Sequence, residues 1–397
     1  MNVKNDFPIL VNNENLVYLD SAASSLKPKC VIDKIIYYYN ELGVNVNRGV
    51  YDLSHKATDL YEEARGVVSK FINAKEEEII FTRGASASLN LVASSYMEFI
   101  NEGDQIITTI QEHHSSMMPW LNVCNKKKAK LVYIPLTKEG KVTIENFKSV
   151  LNNKTKIVAI NHVSNVLGYE NPIKEIIELA HQYGAIVSVD GAQSVPHIMV
   201  DVKALDCDFL SFSGHKMCGP SGIGVLYGKK ELLEKMSPIE FGGDMAQEVY
   251  EYEMTFKEAP YKFETGTPLI SEVIGLAEAI RYLESIGLSN IEKHEKGLKK
   301  YALEKLKDID GITIYNNNLD SNLITFNIDD VHPHDAATIF DKNKVCLRAG
   351  YHCAQPITRF LNVISTLRCS FYLYNNYKDV DIFVESIIEA RDFFLKF

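Results

Sequence analysis

The sequence has no Cys-x-x-Cys pair, no internal repeat, no dinucleotide-binding glycine fingerprint and no surplus of positive charge. Its 42 Lys and Arg stand against 52 Asp and Glu, a formal charge of −10. Nucleic-acid binders concentrate Lys and Arg, so that balance argues against a nucleic-acid surface. Without paired cysteine spacing, neither a disulfide framework nor a structural zinc site is expected. The seven cysteines, at 30, 124, 207, 218, 346, 353 and 369, are odd in number, so at least one thiol is free. That pattern suits a reducing cytosol. No apolar run approaches the ~20 residues that span a bilayer. The start, Met1 to Asp6, leads into no signal-peptide core and is not rich in Arg and Ser. A cytoplasmic protein with no membrane or nucleic-acid partner is expected.

What is present is a long, apolar chain. Its 397 residues are 46% hydrophobic and 24% charged, far from the disordered class. Short apolar runs, most of them rich in β-branched residues, at Gln105 to Thr109, Lys130 to Pro135, Lys156 to Asn161, Ala185 to Asp190 and Phe209 to Ser213 read as strands. Helical spacing lies between them, as at Ile173, Ile176, Ile177 and Ala180. Strands alternating with helices predict an α/β fold with a mostly parallel sheet covered on both faces. Ligands bind such sheets beyond the strands' carboxyl ends, which here means just after Asn161, Asp190 and Ser213. After Pro268 the pattern changes to helices, then strands at Leu323 to Ile328 and near Cys369 to Leu373, then a closing helix. The expected division is a large domain over 17–270, and a smaller α+β domain over 271–397 with an N-terminal arm, 1–16.

Four segments could carry chemistry. Lys216, in Ser213-Gly214-His215-Lys216, is either a loop charge or a desolvated amine that forms a Schiff base with a carbonyl cofactor. Ser213 and His215 supply donors of the kind a phosphate needs. Asp190, closing a strand, is either a helix cap or the carboxylate that keeps a pyridinium nitrogen protonated. Gly84-Ala85-Ser86-Ala87-Ser88, between a strand at 79–81 and a helix expected over 89–99, allows anion binding at a helix start or plain capping by Ser86 or Ser88. His113-His114 follows another strand end, and one ring could stack on a planar cofactor. Cys353, in Arg348-Ala349-Gly350-Tyr351-His352-Cys353-Ala354-Gln355-Pro356, lies in a turn beside His352 and Arg348, which favour a thiolate. The other six cysteines read as small core residues. Arg368 is a candidate fork for a substrate carboxylate. No metal site is expected, because His332, His334, His352 and Cys353 are scattered.

Together these segments resemble the class V aminotransferase group of pyridoxal-phosphate enzymes, and most closely the SUF-type (group II) cysteine desulfurases. The motifs that carry the resemblance are Asn161 to Gly168, Asp190-Gly191-Ala192-Gln193, Ser213 to Lys216 and Arg348 to Pro356. It extends from Tyr18 to the segment Leu367 to Ser370.

The resemblance implies the type I fold of pyridoxal-phosphate transferases, with a seven-stranded sheet in the large domain. It implies pyridoxal 5′-phosphate (PLP) as cofactor. Lys216 would hold it and move protons, Asp190 would pair the ring nitrogen, Gln193 would contact the ring hydroxyl, and His113 would stack on the ring. Phosphate would be held by Ala85, Ser86, Ser213 and His215, and by Thr267 of the other subunit of a homodimer. Asn165 and Arg368 would grip the carboxylate of L-cysteine near Ala23, and Cys353 would take its sulfur as a persulfide. A SUF-system acceptor protein for iron–sulfur assembly, of the zinc-bearing kind some relatives meet at the position of His334, would take it onward. A selenocysteine lyase or a non-catalytic sulfur carrier are the alternatives.

Three departures stand out. Arg83-Gly84-Ala85-Ser86-Ala87 replaces Arg-Gly-Thr-Thr-Glu, Asn47 to Tyr51 replaces His-Arg-Gly-x-His, and Tyr351 replaces the first of two histidines before the cysteine.

Overall fold

The computed structural model describes residues 1–394. Seven strands form one sheet, in the spatial order Ile79–Thr82, Gly224–Gly228, Phe209–Ser213, Ile186–Asp190, Thr155–Asn161, Gln105–Thr108 and Lys130–Tyr133. From Phe209–Ser213 onward the neighbours are parallel, whereas Gly224–Gly228 runs antiparallel to both strands beside it. The central strands are buried on both faces, which is why they read as continuous apolar runs. The edge strand Lys130–Tyr133 has exposed ends and ends two residues earlier than expected.

Register sets the functional end of this sheet. Asn161 lies opposite Asp190, each the last residue of its strand, and Asp190 lies opposite Ser211, two residues before the Ser213 that ends the third strand. Helices cover both faces. One of them, Ile270–Ile286, buries Val273, Ile274, Ala277, Ile280 and Leu283 in the same cluster as Val158, Val189 and Leu210 of the sheet. Each such fully buried Val, Ile or Leu side chain contributes roughly 1.5–3 kcal/mol.

A second, antiparallel sheet runs Ile312–Ile314, Leu323–Ile328, Thr366–Ser370, Arg348–Gly350. The helices Leu288–Leu306, Pro333–Lys342 and Tyr377–Phe394 pack Leu298, Phe340 and Phe383 against its Ile324, Phe326 and Leu367. The N-terminal segment stitches the two parts together. Val17–Tyr18 pairs in parallel with Val345–Cys346, Asp20 bridges to Ser370, and the chain then runs on to the end of the large sheet.

Cys124, Cys207, Cys218 and Cys369 are buried, as the core reading requires. Cys30 and Cys346 are only partly buried; Cys30 packs against the edge of the large core, and Cys346 departs from the reading. The former lies in the helix Lys29–Tyr37, whose outer face meets water, and the latter in the two-residue strand Val345–Cys346. Among the described residues, no helix is long and apolar enough to cross a membrane.

Candidate active site

A pocket opens over the carboxyl ends of the large sheet. Ala23, Ala85, Ser86, His113, Asn165, Asp190, Gln193, Ser213, His215, Lys216 and Arg368 all line it, residues drawn from segments up to 345 positions apart. Lys216 ends a single 3-10 turn, Gly214–Lys216, directly after the strand Phe209–Ser213. Burial lowers its amine to about 8, against the pull of Asp190 in the opposite direction. Asp190 is itself buried and its acidity weakened by that burial, while Lys216 and the Ala192 N–H, 3.0 Å from Oδ1, favour the anion. Gln193 is fixed by donating from Nε2 to the Ala22 carbonyl at 2.8 Å.

One corner of the pocket is a helix start. The helix begins at Ala85, earlier than the apolar spacing suggested, and runs to Tyr96. Gly84, not Ser86 or Ser88, is its cap, at φ 148°. The strand Gly224–Gly228 passes so near that a Cβ on Gly224 would lie 2.4 Å from the Gly84 Cα. Glycine at both positions therefore brings the helix start against the Lys216 loop. The Ala85 N–H donates to Ser213 Oγ at 2.7 Å, and the Ser86 and Ser115 hydroxyls are 2.6 Å apart. Burial, then Lys216 and Lys27, lower His215 to about 4, so its ring is neutral near pH 7. Ala87 faces away from the pocket, into a neighbouring groove that it lines with Thr267. Thr267 thus stands outside the pocket of its own chain.

The two adjacent histidines do different things. His113 caps the helix His114–Lys127, its Nδ1 accepting from the Ser115 N–H at 3.1 Å, so the neutral ring carries its proton on Nε2. Burial and Lys216 hold it far below the usual imidazole range, at about 3. His114 turns to the cysteine loop. Its N–H donates to the Cys353 carbonyl at 2.8 Å, and its Nε2 accepts from the Gln355 N–H at 3.2 Å.

That loop is a strained turn. His352 and Cys353 have φ of 51° and 56°, a left-handed conformation uncommon away from glycine. It is held by Asn165 Nδ2 on the His352 carbonyl at 2.7 Å and by His352 Nε2 on Thr366 Oγ1 at 2.8 Å. Arg348 Nη2 lies 3.5 Å from Cys353 Sγ, a counter-charge for a sulfur anion. Cys353 is not part of the pocket wall; Arg348 and His352 are. His334 is exposed, and a Cβ on Gly350 of the same loop would sit 3.9 Å from its Nε2.

Arg368 stands directly opposite Arg348 across the second sheet. It is fully buried, and burial lowers it to about 10. Its Nη1 donates to the Asn165 carbonyl at 2.8 Å and its Nη2 faces Asp20 at 3.4 Å. Its Nε and the His352 Nδ1 are buried with no partner. Orphaned donors and acceptors of this kind on a pocket wall suit a bound polar ligand.

Asp20, Lys27 and Glu112 were given no role in the reading from sequence, whereas His114 and Asn161 lay in segments it singled out without their present contacts. Only Glu112, in Gln111-Glu112-His113, left a trace: a charge where a strand turns into a buried site.

Comparison with known proteins agrees with this architecture. The family described as aminotransferase class-V matches residues 17–383. A probable cysteine desulfurase of Halalkalibacterium halodurans is 53% identical, over 99% of this chain and 98% of its own length. One from Staphylococcus aureus (strain COL) is 54% identical over 98% of this chain and 96% of its own. The crystal structure of the cysteine desulfurase CsdA from Escherichia coli superposes with a TM-score of 0.93 at 38% identity, covering 98% of each chain. The apo cysteine desulfurase from Thermococcus onnurineus NA1 gives 0.95 at 40%, covering 98% of this chain and 97% of its own. With a lysine and an aspartate at the strand ends and a match over nearly the whole chain, the protein belongs to the class-V aminotransferase family.

Proposed function

We propose that this chain is a PLP-dependent cysteine desulfurase, converting L-cysteine to L-alanine and holding the sulfur as a persulfide on Cys353. The observation that carries this reading is the thiol of Cys353 set 3.5 Å from Arg348, when Arg348 also lines the pocket that contains Lys216 and Asp190. A transaminase would give that thiol nothing to do. Relatives more than half identical over almost their full length bear the name cysteine desulfurase, which supports the same conclusion.

The residues present fit PLP. The helix start at Ala85 and Ser86, with Ser213 and His215, offers donors to a phosphate, and none of these four is acidic. The Asp190 carboxylate would face the ring nitrogen and keep its proton in place. His113, neutral and fixed by the Ser115 N–H, would lie against the ring, and Gln193 would reach its hydroxyl. When bound, PLP supplies an electron sink that stabilises negative charge at the substrate's α-carbon.

The chain's own groups do the rest. Arg368, with its unpaired Nε, takes the substrate carboxylate beside Asn165 and Ala23. Lys216, lowered to about 8, is partly unprotonated near neutral pH and can accept the α-proton. Cys353 Sγ then attacks the substrate sulfur as a thiolate. An S–S bond forms, the substrate's Cβ–S bond breaks, and its electron pair stays on the carbon that, protonated, becomes the methyl group of alanine. The sulfur remains on Cys353 as a persulfide anion.

The same reading makes the protein a cytoplasmic homodimer in which Thr267 completes the partner's phosphate site. Residues 17–270 would hold the cofactor, and 271–397, with the arm 1–16, would carry the cysteine loop. A SUF-type acceptor, zinc-bearing and docking near His334, would collect the sulfur for iron–sulfur cluster assembly. Two variants test the core of it. Cys353→Ser should take up PLP normally yet form no alanine from cysteine; wild-type alanine formation would show another nucleophile. Lys216→Ala should lose the visible absorbance of the bound cofactor and its fixation by borohydride.

A further inference from the structure

Glu112 is a carboxylate that none of the steps above uses. It is completely buried, and none of its hydrogen-bond partners is a cation. Oε1 accepts from Thr109 Oγ1 at 2.8 Å, from Asn161 Nδ2 at 2.8 Å and from the Asn161 N–H at 3.1 Å. Oε2 accepts from Ser116 Oγ at 2.8 Å. A buried acid without a counter-ion is costly, so a chain that keeps one needs what the acid holds.

What it holds is the geometry of the pocket. Thr109 follows the strand Gln105–Thr108, and Ser116 lies in the first turn of the helix that His113 caps. Asn161 ends its own strand level with Asp190 and is gripped from the far side by Asn171 Nδ2, 2.8 Å from its carbonyl and 3.0 Å from Oδ1. The next N–H, of His162, donates to the Asp190 carbonyl at 2.9 Å. One side chain therefore joins the element that presents His113 to the strand end that abuts Asp190. Glu112 lies behind this wall and lines no part of the pocket.

We infer that Glu112 is a positioning residue: by bonding Ser116 and Asn161 at once, it fixes the distance between His113 and Asp190, and so the plane in which a flat cofactor ring is held. The inference rests on the PLP reading of the pocket. What matters is the pattern of bonds and not the negative charge. Burial, and after it the nearby Asp190, raise the Glu112 carboxyl to about 8 against the lowering pull of its hydrogen-bond donors, so burial favours the uncharged form that an amide would also have. A glutamine can keep the bonds to both elements, its oxygen accepting from Thr109 and Asn161 and its Nε2 donating to the Ser116 hydroxyl, which then turns from donor to acceptor.

The test compares Glu112→Gln and Glu112→Leu by the visible circular dichroism of PLP bound to Lys216, which reports ring orientation, and by PLP titration of the apoprotein. Glu112→Gln should match wild type within about twofold in PLP affinity, with the same dichroic band. Glu112→Leu should bind PLP at least tenfold more weakly, show a diminished band at saturation, and still be fixed onto Lys216 by borohydride. An unchanged band and affinity in Glu112→Leu would overturn the inference. So would a glutamine variant as impaired as the leucine variant, because the charge would then be what counts. If Glu112→Leu does not fold, Ser116→Ala decides: a PLP affinity reduced threefold or more supports the role, and an unchanged one refutes it. A wild-type protein that takes up no PLP overturns the functional reading and this inference together. A normal wild type beside an unperturbed leucine variant overturns this inference alone.

Discussion

The Lys27 ammonium donates to the carbonyl oxygen of His215 at 3.1 Å, one residue before Lys216. The same carbonyl receives the Ser25 N–H at 2.8 Å, the Ser25 hydroxyl at 3.0 Å and the Ser24 hydroxyl at 3.3 Å. Ser25 Oγ also accepts from the Cys218 N–H at 2.7 Å, so the turn bearing Lys216 is pinned on both sides. These bonds fix the backbone on either side of Lys216. Removing a charged hydrogen bond costs about 1.5–3 kcal/mol. Lys27→Met should therefore lower kcat for alanine formation roughly tenfold, with PLP still bound. Steady-state rates at saturating PLP measure this.

Gly224→Ala should damage the phosphate corner from a distance. Its Cβ would meet the Gly84 Cα at 2.4 Å and the Phe212 carbonyl oxygen at 2.8 Å, both backbone atoms that cannot swing aside. Overpacking of this kind costs about 1–3 kcal/mol. A lower thermal midpoint should accompany PLP affinity weakened by about tenfold, read by titrating the apoprotein.

His114→Ala separates the cysteine loop from the cofactor. The variant leaves the Gln355 N–H without its acceptor and keeps the backbone bond to the Cys353 carbonyl. A drop of roughly fivefold in persulfide formation, near the ~1 kcal/mol of one hydrogen bond, should appear with an unaltered cofactor spectrum. Labelling of the Cys353 persulfide after a single turnover would report it.

Lys299 offers a pH test. It is fully buried, its nearest acceptor is Asn318 Oδ1 at 3.5 Å, and burial lowers it to about 7. Below pH 7 the folded and unfolded chains both carry the proton, and the folded chain bears the full cost. Between pH 7 and 10.5 the unfolded chain binds more protons, so stability from this group rises with pH. Lys299→Met should thus be more stable than wild type at pH 6, on the order of 2–4 kcal/mol, and lose the advantage by about pH 10. Urea unfolding at the two pH values gives the comparison.

Much of the site was legible because apolar strands end in polar residues. Asp190, Ser213 and Lys216 follow short apolar runs that a parallel sheet buries on both faces, so their position at the carboxyl ends follows from pattern alone. The helix start at Ala85 was not, because Ala-Ser-Ala-Ser has no apolar 3.6-residue period before Leu89. Lys27 and His215 are 188 positions apart, and Glu112 and Asn161 are 49 apart. Hydrogen bonds over such separations arise only once the strands are in register, and no local spacing announces them. Cys346 was misread for a related reason: composition says that cysteine is usually buried, but not which end of a short strand it occupies.

Arg348 and Arg368 face each other across an antiparallel pair, an arrangement that repels. Asp20 offsets part of it, 3.4 Å from one guanidinium. The pocket wall that both arginines line is therefore positively charged, and Arg348 adds to burial in making it harder for Arg368 to keep its proton. In the proposed reaction, a substrate's α-carboxylate would meet two converging positive charges, and each guanidinium would be easier to keep charged with that anion in place.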